Sequence, residues 1–518
     1  MASRISIRLY SQRYNTHIVL MTFDSDLGIS GSGPTKRIPY YNIIWAGVED
    51  NTLTIHHVSD PTKPSIKLDR LSFSVGDPEN AASAEQFAIE LRSRAYGNAK
   101  QQKRALVLVN PNSGPGGAIR RWQKEAKPLF EAAKMELEVL ILTNGGHAMT
   151  LVEKMDIEKY DTVIACSGDG TPHEIFNGLA KRPDAKRALS KIAVGHIPCG
   201  SGNAMALNLY GSNKPATAAI GIIKGVETPL DLVSITQGSK RYVSFLSQAL
   251  GIIAESDLGT ENFRWMGSKR FEMGMLMRVY QKKCYPCDLA VKVEVAEKND
   301  VKAYYRRHAK NDSKPISTNG QSGRNEGEPE SEGLPVLKYG TINDDISGLE
   351  GWETLNSDKI GNFYCGNMAY MSPDANFFPA ALPSDGCMDL FTMDGNVRST
   401  RATKTLLAIE SGKFFDMPEV KYRKISAYRI TPRDQKDGYI SIDGEKVPFQ
   451  PFQAEIHQGL GRVLSKRGKF EAKGPLGWES APITEGGGDQ QKSAEGQAAT
   501  GEEAVNDAPA PNCLDSQN

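Results

Sequence analysis

The sequence predicts an α/β lobe followed by a β-rich lobe, with a smaller β-rich domain ahead of both, and three observations carry that prediction. From Arg104 the apolar runs RALVLVN, EVLILT, DTVIACS and KIAVGHIP alternate with helical patterns. Near-continuous apolar runs suit strands buried on both faces, and their alternation with helices suits a parallel sheet with crossover connections. After Ser244 the texture shifts to DLAVKVEVA, GNFYCGNM, ISAYRITPR and GYISIDGE, which read as an antiparallel sandwich. Residues 38–75 alternate in short bursts broken by Gly, Asp-Asn and Pro, the texture of a small sheet. At 518 residues the chain is far beyond the size at which one hydrophobic core stops growing, so several domains are expected.

The first 25 residues interleave Arg, Ser and Gln with apolar side chains and lack the continuous apolar stretch of a secretory signal. After the strands of residues 38–75 comes SAEQFAIELRSRAY, with Ser83 as cap, Gln86 three residues on, and Phe87, Ile89 and Leu91 in apolar positions. Strands closed by one helix place a β-rich domain at residues 1–100. It resembles the pleckstrin-homology-like domains, and a plain β-rich leader remains the alternative. The α/β lobe covers 101–243, with helical patterns over Ala118–Met135, Ala148–Glu153 and Pro172–Ala180; the β-rich lobe covers 244–475. Residues 308–335 hold hardly any large apolar side chain, and the tail from Ser480 has seven acids, one Lys and no aromatic residue. Neither can offset the entropy of ordering, so 308–335 is expected to be a disordered insertion and 476–518 a disordered acidic tail.

Lys plus Arg equal Asp plus Glu at 62 each, so no whole-chain field argues for nucleic acid. No run approaches the roughly 20 apolar residues of a membrane span. The expectation is a cytoplasmic protein that meets membranes peripherally. Seven scattered cysteines suit reduced thiols, and Cys284-Tyr-Pro-Cys287 lacks the second pair a zinc site needs. His147 and His173 lie beside glycine-rich loops but show no metal-ligand spacing, and neither receives a role.

Three loops, each following an apolar strand, are rich in glycine: VNPNSGPGGA (Val109–Ala118), CSGDGTPHE (Cys166–Glu174) and IPCGSGNAMA (Ile197–Ala206). Glycines let backbone N–H groups converge on an anion, and a following helix adds its positive dipole end. Three such loops at one sheet edge form a polyphosphate cradle. Neither GxxxxGK[ST] nor GxGxxG occurs, which excludes the Walker-type and Rossmann readings. Phosphoryl transfer further needs a base near the attacking hydroxyl, and Asp169, flanked by Gly168 and Gly170, is assigned that role. Thr171 is expected to cap the following helix, with Pro172 at its first position and Glu174 completing a capping box.

The ordered series NPNSGPGGA, SGDGTPHEIFNGL, PCGSGNAMA, LDLVSI, SDGCMDLFT and SIDGE resembles the diacylglycerol kinase catalytic domain superfamily over roughly residues 103–470. Ser167-Gly168-Asp169-Gly170 and the segment Phe245–Phe271 resemble its sphingosine and long-chain-base kinases of fungal type. The resemblance implies a phosphofructokinase-like α/β lobe, a β-sandwich lobe and ATP between them. The implied reaction moves the γ-phosphate to the primary hydroxyl of sphingosine, dihydrosphingosine or phytosphingosine, with ceramide, diacylglycerol and NAD as alternative substrates and a non-catalytic lipid-binding scaffold as the alternative class. Implied nucleotide contacts are Asn110, Pro111, Asn112, Thr143, Glu174, Gly200, Ser201, Gly202, Asn203, Arg264, Arg270, Asp443, Gly444 and Glu445. Implied substrate contacts are Ser167, Gly168, Asp169, Gly170, Ser247 and Asp257, with Mg²⁺ on Asp443. Phe271, Met273, Leu276 and Met277 suit an acyl-chain tunnel, although an ordinary helix core is the safer reading. A sphingoid base and a peripheral membrane surface are the partners implied, nucleic acid is not, and a homodimer remains open.

Overall fold

The computed structural model describes residues 4–482 apart from 12, 14, 32, 62–64, 77, 259–281, 312–331, 356, 436 and 437, and apart from the side chains of 78, 79, 257, 310 and 311. Seven strands come first: β1 (Ser6–Ser11), β2 (Thr16–Thr22), β3 (Asp26–Ser30), β4 (Lys36–Pro39), β5 (Ile43–Glu49), β6 (Thr52–Val58) and β7 (Leu68–Ser74). They pair antiparallel in the order β4-β3-β2-β1-β7-β6-β5. Alternation of period two puts Leu9, Leu20, Leu53, Ile55, Leu71 and Phe73 inside. The helix Pro78–Tyr96 closes this core with Ala84, Phe87, Ala88, Leu91 and Ala95, a spacing of three and four. It starts five residues before the expected cap at Ser83, and Ile89 is exposed rather than apolar-facing.

The α/β lobe follows with β8 (Arg104–Val109), β9 (Glu136–Ile141), β10 (Thr162–Ser167) and β11 (Ala193–Pro198), all parallel, in the order β9-β8-β10-β11. From β8 the chain goes to one side for β9 and to the other for β10. Strand order therefore reverses between β8 and β10, and ligands of open α/β sheets bind at such a reversal, outside the carboxyl ends of the strands.

The remaining strands are β12 (Val226–Gln237), β13 (Lys240–Ser244), β14 (Ser247–Gly251), β15 (Cys287–Val295), β16 (Trp352–Leu355), β17 (Ile360–Gly366), β18 (Tyr370–Ser372), β19 (Ala375–Asn376), β20 (Met388–Asp394), β21 (Lys421–Pro432), β22 (Ile440–Ile442), β23 (Glu445–Val447) and β24 (Phe452–Ser465). Apart from β18 and β19, which form a small sheet of their own, they pair antiparallel, and a second core among them includes Phe363, Ile425, Tyr428 and Phe452. β24 joins the lobes: it pairs antiparallel with β12 and β21 and parallel with β11 through Val463 and Val194. The fold is thus α/β plus β, carried on one continuous hydrogen-bonded sheet. β12 and β13, which run up to Ser244, already belong to its antiparallel part.

Both ends of the 308–335 segment are ordered. Residues 308–311 finish the helix Lys298–Asn311, where His308 stacks on Tyr304 at 3.9 Å, and Pro335 O accepts from Arg241 at 2.7 Å. Ahead of the tail, Trp478 meets Tyr305 edge-on at 5.1 Å, so the chain stays packed past residue 476. The centre of the insertion, 312–331, and the tail from 483 lie outside the described residues. Among the described residues no helix is long and apolar enough to cross a membrane.

The N-terminal sheet is tied to the α/β lobe by a buried cation. Lys224 Nζ donates to the carbonyls of Ile43 and Ala95 and sits 3.8 Å from the Tyr96 ring centroid. Burial holds that ammonium well below the usual lysine range.

Candidate active site

The three glycine-rich turns leave β8, β10 and β11 at the sheet's reversal point and touch through bare backbone. A Cβ on Gly200 would lie 2.5 Å from Gly168 Cα, and one on Gly114 would lie 2.8 Å from the Cys199 carbonyl oxygen. Only glycine allows that approach, and Gly114 adds a φ of +56°. Hydrogen bonds fix the contact: Gly168 N donates to Ser113 Oγ at 3.2 Å and Cys199 N to Ser167 O at 2.7 Å. Within the third loop Gly200 N donates to Asn203 Oδ1 at 2.8 Å, and Asn203 Nδ2 returns to Gly200 O at 2.9 Å. In the first, Asn110 Oδ1 accepts from Asn112 N at 3.0 Å, an Asx turn.

Asp169 stands at the start of the helix Gly170–Ala180, yet its carboxylate turns toward the third loop. Oδ2 accepts from Ala204 N and Oδ1 from Met205 N, both at 3.0 Å, at the N-terminus of the helix Ala204–Tyr210. Its side chain is 14% exposed and lines the cleft. Asp169 therefore does cap a helix, but a different one from its own. Thr171 is buried inside the first turn and does not cap; the helix already begins at Gly170. Glu174 reaches away as well. Its Oε1 accepts from Gly146 N at 2.9 Å and Oε2 from Ala148 N at 3.0 Å, which orders the loop that brings Gly145 to the cleft.

The cleft holds about 570 Å³. It is lined by Asn110, Asn112, Glu174, Gly200, Ser201 and Gly202 from the expected nucleotide set, and by Gly168, Asp169 and Gly170. Asp443, Gly444 and Glu445 close over it from the β-rich lobe; Glu445 Oε1 lies 2.8 Å from where a Gly170 Cβ would be. Ser247 also lines the cleft, with Oγ 3.4 Å from the Tyr364 hydroxyl. Apolar side chains line the cleft as well, among them Leu246, Ile253, Phe377, Leu406, Leu407 and Ile409. Of these, Leu407 is 73% exposed.

Several expected contacts lie elsewhere. Ser167 is fully buried and donates to Gly168 O at 2.8 Å, so its hydroxyl does not face a substrate. Pro111 and Asn203 belong to the loops without lining the cleft, and Thr143 is exposed outside it, with its N donating to His147 Nδ1 at 3.2 Å. Arg264, Arg270, Phe271, Met273, Leu276 and Met277 fall outside the described residues. Asp257 falls on the helix Ile252–Leu258, whose Ile253 and Ser256 line the cleft, and its side chain is likewise outside them.

Asp443 is not placed to hold Mg²⁺. Its carboxylate, fully buried, accepts from His173 Nδ1 at 2.8 Å, from the Ser244 hydroxyl, and from the backbone N–H groups of Phe245, Leu246 and Ser247 at 3.0–3.1 Å. Five donors fill a carboxylate's roughly four lone-pair sites. Among the described residues no group of three or more His, Cys, Asp or Glu side chains is arranged to hold a metal. Asp443 serves instead as a clasp that joins the β-rich lobe to the helix of Asp169. Burial opposes the charged form of His173, but the hydrogen bond and charge of Asp443 outweigh it and hold the imidazole above its ordinary range. His173, passed over in sequence, is thus part of the site. Its partner lies 270 residues away, a separation no local pattern reveals.

Glycine turns at a sheet reversal, a carboxylate among them and apolar side chains thus line one cleft. A family model described as the diacylglycerol kinase catalytic domain matches residues 104–235, and another, described as a domain of unknown function, matches 15–97. Sphingoid long chain base kinase 5 of Saccharomyces cerevisiae is 37% identical over 425 residues, which cover 74% of this chain and 62% of that protein. Sphingoid long chain base kinase 4 of Schizosaccharomyces pombe is 32% identical over 480 residues, 90% of this chain and 97% of that protein. Sphingosine kinase 1 of Arabidopsis thaliana is 31% identical over 70% of this chain and 75% of its own length. The chain belongs to the sphingoid long chain base kinase family.

Proposed function

We propose that this chain transfers the γ-phosphate of ATP to the primary hydroxyl of a sphingoid base. One observation carries the reading: a single cleft is lined together by three interlocked glycine turns, by Asp169 and by the apolar side chains of Leu246, Phe377, Leu406 and Ile409. A triphosphate matches the N–H-rich turns. An alkyl chain matches the apolar side chains, and the hydroxyl of the lipid meets the carboxylate. Asp169 takes the proton as the hydroxyl oxygen attacks phosphorus, and ADP leaves. The two backbone bonds from Ala204 and Met205 fix the carboxylate's orientation during that step.

Mg²⁺ keeps several waters and takes one or two carboxylates besides phosphate oxygens, and Glu445, with Oε1 beside Gly170, would supply one of them. When bound it neutralises charge on the transferring phosphate. Arg264, Arg270 and Asp257 remain proposed contacts of phosphate and sphingoid head. The seven antiparallel strands closed by Pro78–Tyr96 support a pleckstrin-homology-like reading of the N-terminal unit, and the second core supports a sandwich. Exposed Leu407 in the cleft lining supports peripheral contact with a membrane, from which the lipid would enter.

Purified chain with labelled ATP, Mg²⁺ and separate sphingoid bases, ceramide and diacylglycerol tests this. Label is expected in the sphingoid-base phosphate. Label confined to ceramide or diacylglycerol would overturn the substrate, and no transfer to any lipid would overturn the reaction.

A further inference from the structure

His196 lies on β11 beneath the site, wholly buried. Its Nε2 is 2.9 Å from Ser167 O, which only accepts, so Nε2 carries the hydrogen. Burial disfavours the charged ring and keeps His196 neutral, leaving Nδ1 as a bare lone pair. That nitrogen has no hydrogen-bond partner, although it sits 3.9 Å from Asp169 Oδ1. A buried polar atom left unpaired keeps its desolvation cost uncompensated. Two acceptors facing each other explain the gap: carboxylate and lone pair cannot bond until one of them gains a proton.

We infer that His196 is a positioning residue for Asp169, its Nδ1 accepting a hydrogen bond from the carboxyl once Asp169 has taken the substrate's proton. The inference rests on the proposed role of Asp169 as base. Ala204 N and Met205 N donate to the carboxylate and hold its two oxygens in place. Only a protonated Asp169 can donate to Nδ1, and a closure of about 1 Å brings the pair from 3.9 Å to hydrogen-bond length. In the step the substrate O–H bond breaks and its proton goes to Asp169. The oxygen–phosphorus bond forms as the bond from the γ-phosphorus to ADP breaks, and ADP departs with that electron pair. The proton then rests between Asp169 and Nδ1 until solvent removes it. Among the described residues, the other titratable group against His196 is Tyr210, whose hydroxyl accepts from His196 N at 3.4 Å; burial pushes that phenol above its ordinary range, so it stays neutral.

The test compares His196→Phe, His196→Gln and Asp169→Asn in the full chain. His196→Phe is expected to lower kcat about tenfold, the worth of one such hydrogen bond, with KM for ATP unchanged and the acidic limb of the kcat profile moved to lower pH. His196→Gln, which keeps an acceptor and a donor, is expected to restore most of the rate. A wild-type kcat and pH profile in His196→Phe would overturn the inference, as would a loss shared between kcat and KM with no change of profile. Substantial turnover in Asp169→Asn would instead overturn the base itself. If both His196 variants misfold, nitrogen-15 spectra of histidine-labelled wild type decide: Nε2–H at neutral pH is expected, and Nδ1–H or a doubly protonated ring overturns the inference.

Discussion

Gly200 has no room for a side chain, since an added Cβ would stand 2.5 Å from Gly168 Cα. Gly200→Ala is expected to cost about 1–3 kcal/mol through overpacking, read as a lower thermal midpoint and weaker ATP binding. Gly145→Ala, in the same cleft, meets nothing within 4 Å and should bind ATP as wild type does; equal loss in both variants would contradict the interlock. At this scale the sequence was legible where chemistry repeats along the chain. Three glycine loops after three strands pointed to turns that meet, and the structure brings them together. The assignment of Ser167 and of Mg²⁺ to Asp443 was not readable, because a hydroxyl's direction and a carboxylate's donors depend on residues far away in sequence, such as His173 and Ser244.

Between elements, the clasp of Asp443 by His173, Ser244 and three backbone N–H groups holds the β-rich lobe against the helix Gly170–Ala180. Asp443→Ala leaves those donors buried without a partner and is expected to destabilise the chain by about 3–5 kcal/mol, measured by denaturant unfolding. His173 is raised by this pairing, so its contribution is full below the unfolded histidine value and fades as pH rises through the folded one. The stability gap between wild type and His173→Gln should therefore shrink from about pH 6 upward; a gap that widens would contradict the pairing. The parallel strands β8, β10 and β11 were readable as uninterrupted apolar runs. The helix start at Pro78 was obscured by Ser83 and Gln86, which mimic a cap yet lie inside the helix, with Ala84, Phe87 and Leu91 already packed.

Across the whole molecule, β24 and two buried lysines bind the parts together. Lys103 Nζ donates to Lys100 O and Ile223 O, both at 2.8 Å, and burial pulls its ammonium down to about 8. The unfolded chain holds that proton more tightly, so this group makes stability rise with pH between about 8 and 10.5. Wild type should gain thermal midpoint relative to Lys103→Met across that window, and a constant difference would contradict it. The large division into α/β and β lobes followed from texture alone. The strands β1–β4 did not, because Arg and Ser alternate with Ile and Leu in runs such as Ser6–Ser11, and that period was masked by its short length. The central claim is that three glycine turns hold a triphosphate while Asp169 takes a lipid's proton. Asp169→Asn keeps an acceptor for the Ala204–Tyr210 helix, so turnover with a sphingoid base should fall at least about 100-fold while ATP affinity persists. Turnover near that of wild type would contradict it.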